Sequence, residues 1–102
     1  MDKNIIKAIK KFTELANKEF PIQKVILYGS YAKKTQRKES DIDVAVILHD
    51  YDGDILKANG KLFALARDID VRIEPIILEM KYDKSGFIES IIKYGKVIFS
   101  AN

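Results

Sequence analysis

The sequence predicts an α/β (α+β) fold: a small mixed β-sheet packed by helices. Three observations support it. Apolar residues recur at helical spacing in three segments. Short runs rich in β-branched residues alternate with those segments. One such run is apolar on both faces over most of its length, which demands cover on each side of a sheet. The predicted order is α-β-(α)-β-α-β-α-β.

The first helix is expected over residues 2–18. Ile5, Ile9, Phe12 and Ala16 form its stripe, Ile6 and Leu15 widen it, and Pro21 stops it. "KVILY", 24–28, reads as a strand, and Tyr31 to Lys34 as a short helical turn after Gly29-Ser30. "DIDVAVIL", 41–48, is the two-sided strand: Ile42, Val44, Val46 and Leu48 on one face, Ala45 and Ile47 on the other, with Asp41 and Asp43 at its entrance. After the turn "HDYDGD", the spacing of Ile55, Leu56, Asn59, Leu62, Phe63 and Ala66 predicts a helix over 54–67. "DIDVRIEPIIL", 68–78, reads as a third strand, Ile69, Val71 and Ile73 facing one way and Asp68, Asp70, Arg72 and Glu74 the other. Pro75 places it at an edge or bulge. Ser85 is expected to cap a last helix carrying Phe87, Ile88, Ile91 and Ile92, with Gly95 beyond its end. "KVIF", 96–99, is a short final strand.

The 102 residues, 47% of them apolar, are enough for a single domain, 1–102. Cysteine is absent, which excludes disulfides, cysteine-ligated zinc and thiol chemistry and fits a reducing compartment. The opening "MDKNIIKAIKKF" has no apolar core of a secretory signal. No apolar run approaches the ~18 residues of a membrane span. A cytoplasmic protein without a membrane partner is expected. The net charge of +3, from 18 basic and 15 acidic side chains, is too mild to argue for nucleic acid by itself. Its distribution says more. Lys33, Lys34, Arg37 and Lys38 sit in one loop, and Glu39, Asp41, Asp43, Asp50, Asp52 and Asp54 follow. That is either a pair of solvated charge runs or an anion site beside a metal site.

Glycine at a strand end lets backbone approach a ligand, and a serine there offers its hydroxyl and N–H to a phosphate oxygen. Alone, Gly29-Ser30 is an ordinary turn signal. Asp41 and Asp43 lie on one side of a strand, where two carboxylates need a cation or a proton, unless water screens them. Magnesium favours such oxygen ligands and completes its shell with water and substrate phosphates. If strand 68–78 neighbours 41–48, one acid among Asp68, Asp70 and Glu74 joins the pair. Three carboxylates can hold two magnesium ions about 3.5–4 Å apart. Otherwise Arg72 pairs its acidic neighbours on a solvated face.

Gly29-Ser30-Tyr31-Ala32, the basic loop and Ser40-Asp41-Ile42-Asp43 together resemble the signature of the nucleotidyltransferase superfamily that includes DNA polymerase beta. With nearly the whole chain covered, it looks like a minimal nucleotidyltransferase of the MntA-like antitoxin type. The resemblance implies the nucleotidyltransferase fold, ATP or another nucleoside triphosphate as substrate and magnesium, two ions, as cofactor. It assigns the triphosphate contact to Ser30 and its backbone; Gly29, Lys33 and Ser40 are the further nucleotide-binding residues expected, Lys33 as one of the loop cations that add positive potential or else stay solvated. It assigns catalysis and metal binding to Asp41, Asp43 and, through the apolar-Asp-apolar motif Ile69-Asp70-Val71, to Asp70, with Asp68 and Glu74 in reserve. Lys34 departs from the glycine that family loops commonly carry there, which bears on loop geometry rather than on the metal residues.

Transfer of AMP from ATP to a hydroxyl on a small all-helical partner, a HEPN-type toxin, is the activity so implied. The alternative is a binding module that neutralises the partner by occlusion; three carboxylates argue against it. Nucleic-acid binding ranks third, since the basic loop lacks interleaved aromatics. Self-association is left open. The helix stripes, Ile5 to Leu15 and Phe87 to Ile92 with Phe99, are expected mainly to cover the sheet, any exposed remainder marking a docking surface.

Overall fold

The structure is a computed structural model and describes residues 3–29, 41–80 and 86–101. Helix α1 spans Lys3–Asn17 and buries Ile5, Ile9, Phe12, Thr13 and Ala16 as one stripe. The buried Thr13 hydroxyl donates to the Ile9 carbonyl at 2.8 Å, so its polar atom is satisfied within the helix. Strand β1 is Ile22–Tyr28 and β2 is Ile42–Leu48. Helix α2, Ile55–Ile69, starts at Asp54, whose carboxylate accepts from the N–H groups of Leu56 at 2.9 Å and Lys57 at 3.3 Å. Strand β3 is Ile73–Glu79, helix α3 is Phe87–Tyr94 and strand β4 is Lys96–Ser100.

These elements form the mixed sheet and helices of an α+β fold, with strand order β3-β2-β1-β4. β2 pairs antiparallel with β1 and parallel with β3; β1 pairs antiparallel with β4. A parallel neighbour cannot follow from a tight turn, and α2 supplies the crossover between β2 and β3. Pro75 lies on β3, at the sheet edge, where a missing N–H costs least.

Both faces of β2 are covered, as its sequence requires. Ile42, Val44, Val46 and Leu48 pack with Ile5, Ile9 and Phe12 of α1 and Ala58, Leu62 and Ala66 of α2. Ala45 and Ile47 pack on the other face with Ile26 and with Ile88 and Ile91 of α3. Gly95 ends α3 against this face. A Cβ on it would come within 2.6 Å of the Ile91 carbonyl and 2.7 Å of the Ile26 side chain, so only glycine lets the chain turn that tightly into β4. Among the described residues no helix is long and apolar enough to cross a membrane.

Two boundaries differ from expectation. The strand expected over 68–78 starts only at Ile73, because α2 runs on to Ile69 and Asp70 is its C-cap. The helix that was to be capped by Ser85 has Gly86 at its N-cap, with φ 74° and no side-chain cap; Ser85 and the helical turn over 31–34 lie outside the described residues.

Candidate functional site

The C-terminal end of β1 and the N-terminal ends of β2 and β3 meet at one end of the sheet. There the register sets Tyr28 opposite Asp43, and Asp43 opposite Glu74. Alternation puts all three on the face that α3 covers further along, since Ile26, Ala45, Ile47, Ile76 and Leu78 pack there. Asp41 precedes Asp43 on the same side of β2. Strand entry is fixed by the Ile42 N–H, which donates to the Arg72 carbonyl at 2.7 Å.

Gly29 follows Tyr28 with φ 73°, in the left-handed region. A Cβ there would overlap the Asp43 carboxylate and lie 3.2 Å from its Cγ. The glycine expected to let a ligand close to the backbone also makes room for the aspartate of the next strand.

Burial raises the Asp43 pKa, and the Asp41 charge raises it further. The Tyr28 hydroxyl is raised too, first by burial and then by Asp43 and Glu74, so the negative potential spans the row. These donors are hard oxygens, one of them held at an elevated pKa beside a like charge, which is the environment a divalent cation relieves. Among the described residues no three acidic or imidazole groups converge closely enough to hold an ion unaided. Magnesium needs only one or two carboxylates when phosphates and water fill the shell, so the donor set fits that ion together with an anionic substrate.

Asp70 stands elsewhere. Its carboxylate accepts from Arg72 three times, from the backbone N–H at 2.9 Å, Nε at 3.1 Å and Nη2 at 2.8 Å. The side-chain bond from Arg72 lowers its pKa despite an opposing desolvation. The register thus sets Glu74, and not Asp70, opposite Asp43, because the pairing of β3 begins three residues after Asp70. Asp68 is exposed near the end of α2. The signal that points to Glu74 is the run Ile73-Glu74-Pro75-Ile76-Ile77-Leu78, an acid inside the apolar stretch that makes the strand. Ser30, Lys33 and Ser40 lie outside the described residues, with the rest of the basic loop.

A mixed sheet with a positive-φ glycine at the end of one strand and an Asp-x-Asp entrance on the next defines a nucleotidyltransferase-type site. The family model described as "Polymerase beta, Nucleotidyltransferase" matches residues 10–102, and the chain belongs to that family. It is an enzyme of the nucleotidyltransferase class. "Putative protein adenylyltransferase MJ0141" of Methanocaldococcus jannaschii is 35% identical over 95 residues, covering 89% of this chain and 92% of that relative. A toxin–antitoxin structure with AMP-PNP superposes with a TM-score of 0.67 at 24% identity, covering 95% of this chain and 74% of the other. A tri-AMPylated Shewanella oneidensis HEPN toxin in complex with MNT antitoxin gives 0.60 at 21% identity, covering 96% of this chain and 73% of the other. At those identities the two structures establish the fold.

Proposed function

We propose that this enzyme transfers AMP from ATP to a hydroxyl group on a helical, HEPN-type partner protein. The observation that carries the reading is the row Gly29–Asp43–Glu74: a ligand-admitting turn, a carboxylate of raised pKa and a further carboxylate on the next strand. The adenylyltransferase relative and the AMPylated toxin of the structural neighbour support the choice of AMP and of a helical acceptor.

Asp41 and Asp43 would hold magnesium, with Glu74 beside them, and Gly29 and Ser30 would receive the triphosphate. Lys33 and Ser40 are proposed as further nucleotide contacts. Bound magnesium supplies neutralisation of phosphate charge, both on the α-phosphate and on the departing pyrophosphate. The protein's own part is positioning. With the pyrophosphate seated toward β1, in-line attack brings the acceptor from the β3 side. The acceptor oxygen bonds to the α-phosphorus, the bond from that phosphorus to the bridging oxygen breaks, and pyrophosphate leaves. Glu74, paired with Asp43 from that side and exposed, would take the hydroxyl proton.

Co-expression with a helical partner encoded beside it, then intact-mass measurement, tests the reading. The expected result is one or more AMP units on the partner, absent with Asp43→Asn. A tight complex whose partner stays unmodified in the presence of ATP and magnesium would show neutralisation by occlusion instead.

A further inference from the structure

Beside the carboxylate row, between the end of β1 and α3, a cleft of about 730 Å³ opens, within the range of about 300–1,000 Å³ typical of small-molecule sites. Tyr28, Gly29, Phe87, Ser90, Ile91 and Tyr94 line it. We propose that this cleft is the subsite for the base of the nucleoside triphosphate, a flat neutral aromatic ring stacked between α3 and the β1 turn. The inference rests on reading the row as a triphosphate site.

Several facts converge on it. Tyr28 and Gly29 border both the row and the cleft, so one ligand can reach from the carboxylates into it. Among the described residues none that lines it is charged, which suits a base better than the phosphates. Phe87, Ser90, Ile91 and Tyr94 are spaced i, i+3, i+4, i+7 and share one face of α3. Two of them, Phe87 at 47% and Tyr94 at 68% exposure, keep large rings in solvent rather than in the core. The Lys93 ammonium, 5.3 Å from the centre of the Tyr94 ring, restrains that ring by a cation–π contact. Ser90 offers a hydroxyl to a base edge, as donor or acceptor. A second concavity of about 500 Å³, lined by Lys10, Thr13 and Phe99, lies on the α1 side of the sheet, away from the carboxylates. The direction of attack also argues for the base: an acceptor approaching in line comes from the β3 side, whereas the cleft adjoins β1.

The test compares two probes, ATP and inorganic tripolyphosphate, each titrated with magnesium into wild type, Phe87→Ala, Tyr94→Ala and Tyr94→Phe by calorimetry. Circular dichroism checks that the variants are folded, as exposed positions predict. Alanine at either position is expected to weaken ATP by about fivefold to a hundredfold while tripolyphosphate changes by less than about twofold, since stacking on one ring carries that much binding. Tyr94→Phe is expected to restore ATP affinity. If ATP and tripolyphosphate bind wild type alike and neither alanine variant affects them, the inference is overturned and the triphosphate site stands. Loss of complex formation with a helical partner in those same variants would then assign the cleft to protein docking. If neither probe binds wild type, the triphosphate reading falls and takes the inference with it.

Discussion

Asp43 and Asp70 are both partly buried aspartates at the edge of a regular element, and their environments push them in opposite directions. Burial and Asp41 raise Asp43; hydrogen bonds from Arg72 lower Asp70. Asp70 finds its cation two residues along the chain and so closes the turn from α2 into β3. Asp43 has a negative charge for a neighbour and a glycine, with no side chain, pressed against it. A carboxylate that belongs to the architecture brings its counter-charge within the fold. One that is held beside a like charge is the kind that a cation arriving from outside would relieve.

The strongest way to break this contrast is to neutralise each group in turn. Asp43→Asn is expected to lower AMP transfer by more than about 100-fold, since even outer-sphere partners of a metal are worth about 10–100-fold. Glu74→Gln should cost within that range, and Asp70→Asn should leave the rate within about threefold of wild type, because its charge-assisted bonds serve the fold. Pyrophosphate release measures all three. An inactive Asp70→Asn beside an active Glu74→Gln would return the third carboxylate to Asp70.

A smaller effect sharpens the contrast in stability. Asp70→Asn is expected to cost about 1–2 kcal/mol at neutral pH, the worth of a part-buried bond to a charged group. The folded pKa of Asp70 lies below its ordinary 3.8, so this contribution is complete above that value and is lost as pH falls through the lowered one. Urea titrations of the two proteins should therefore differ at pH 7, draw together below pH 3.8 and converge once pH is below the lowered folded value.

The smallest effect has the opposite sign. The folded pKa of Asp43 lies above 3.8, so its ionised form penalises the fold, and the penalty grows as pH rises from 3.8 through the raised value. Without metal, Asp43→Asn should melt slightly higher than wild type at pH 7 and the same below pH 3.8. Added magnesium and ATP should reverse the order at neutral pH by stabilising wild type alone. A metal-free variant that melts lower would mean that the carboxylate is paired in the fold.

The sequence made β2 and the two helices around it legible because their residues carry one period each. It misled at 68–72, where two periods overlap. Leu62, Ala66 and Ile69 continue the helical stripe, while Ile69, Val71 and Ile73 imitate an alternating strand. Val71 is 78% exposed, so that alternation is accidental. The turn there is set by Asp70 accepting from the Arg72 N–H, a local bond without periodic signature. The sequence offers Glu74 beside Asp68 and Asp70, yet only pairing between strands selects it, and the register of a parallel pair cannot be read from one strand. On α3 the burial of Ile88 and Ile91 followed from spacing; the cleft did not, since it depends on how far Phe87 and Tyr94 stand from the end of β1.

The route by which Glu74 reaches Asp43 has a consequence for the newborn chain. Tyr28, Gly29 and Asp43 are gathered by an antiparallel pair, whereas Glu74 arrives only after the α2 crossover has closed and β3 has paired in parallel with β2. Such non-local closure is the slow, entropically costly part of assembly. A polypeptide still emerging from the ribosome, with β3 undocked, would carry the paired aspartates without the acid on the acceptor side. On the proposed mechanism incomplete molecules would therefore be slow, and full competence would appear only once the sheet is whole.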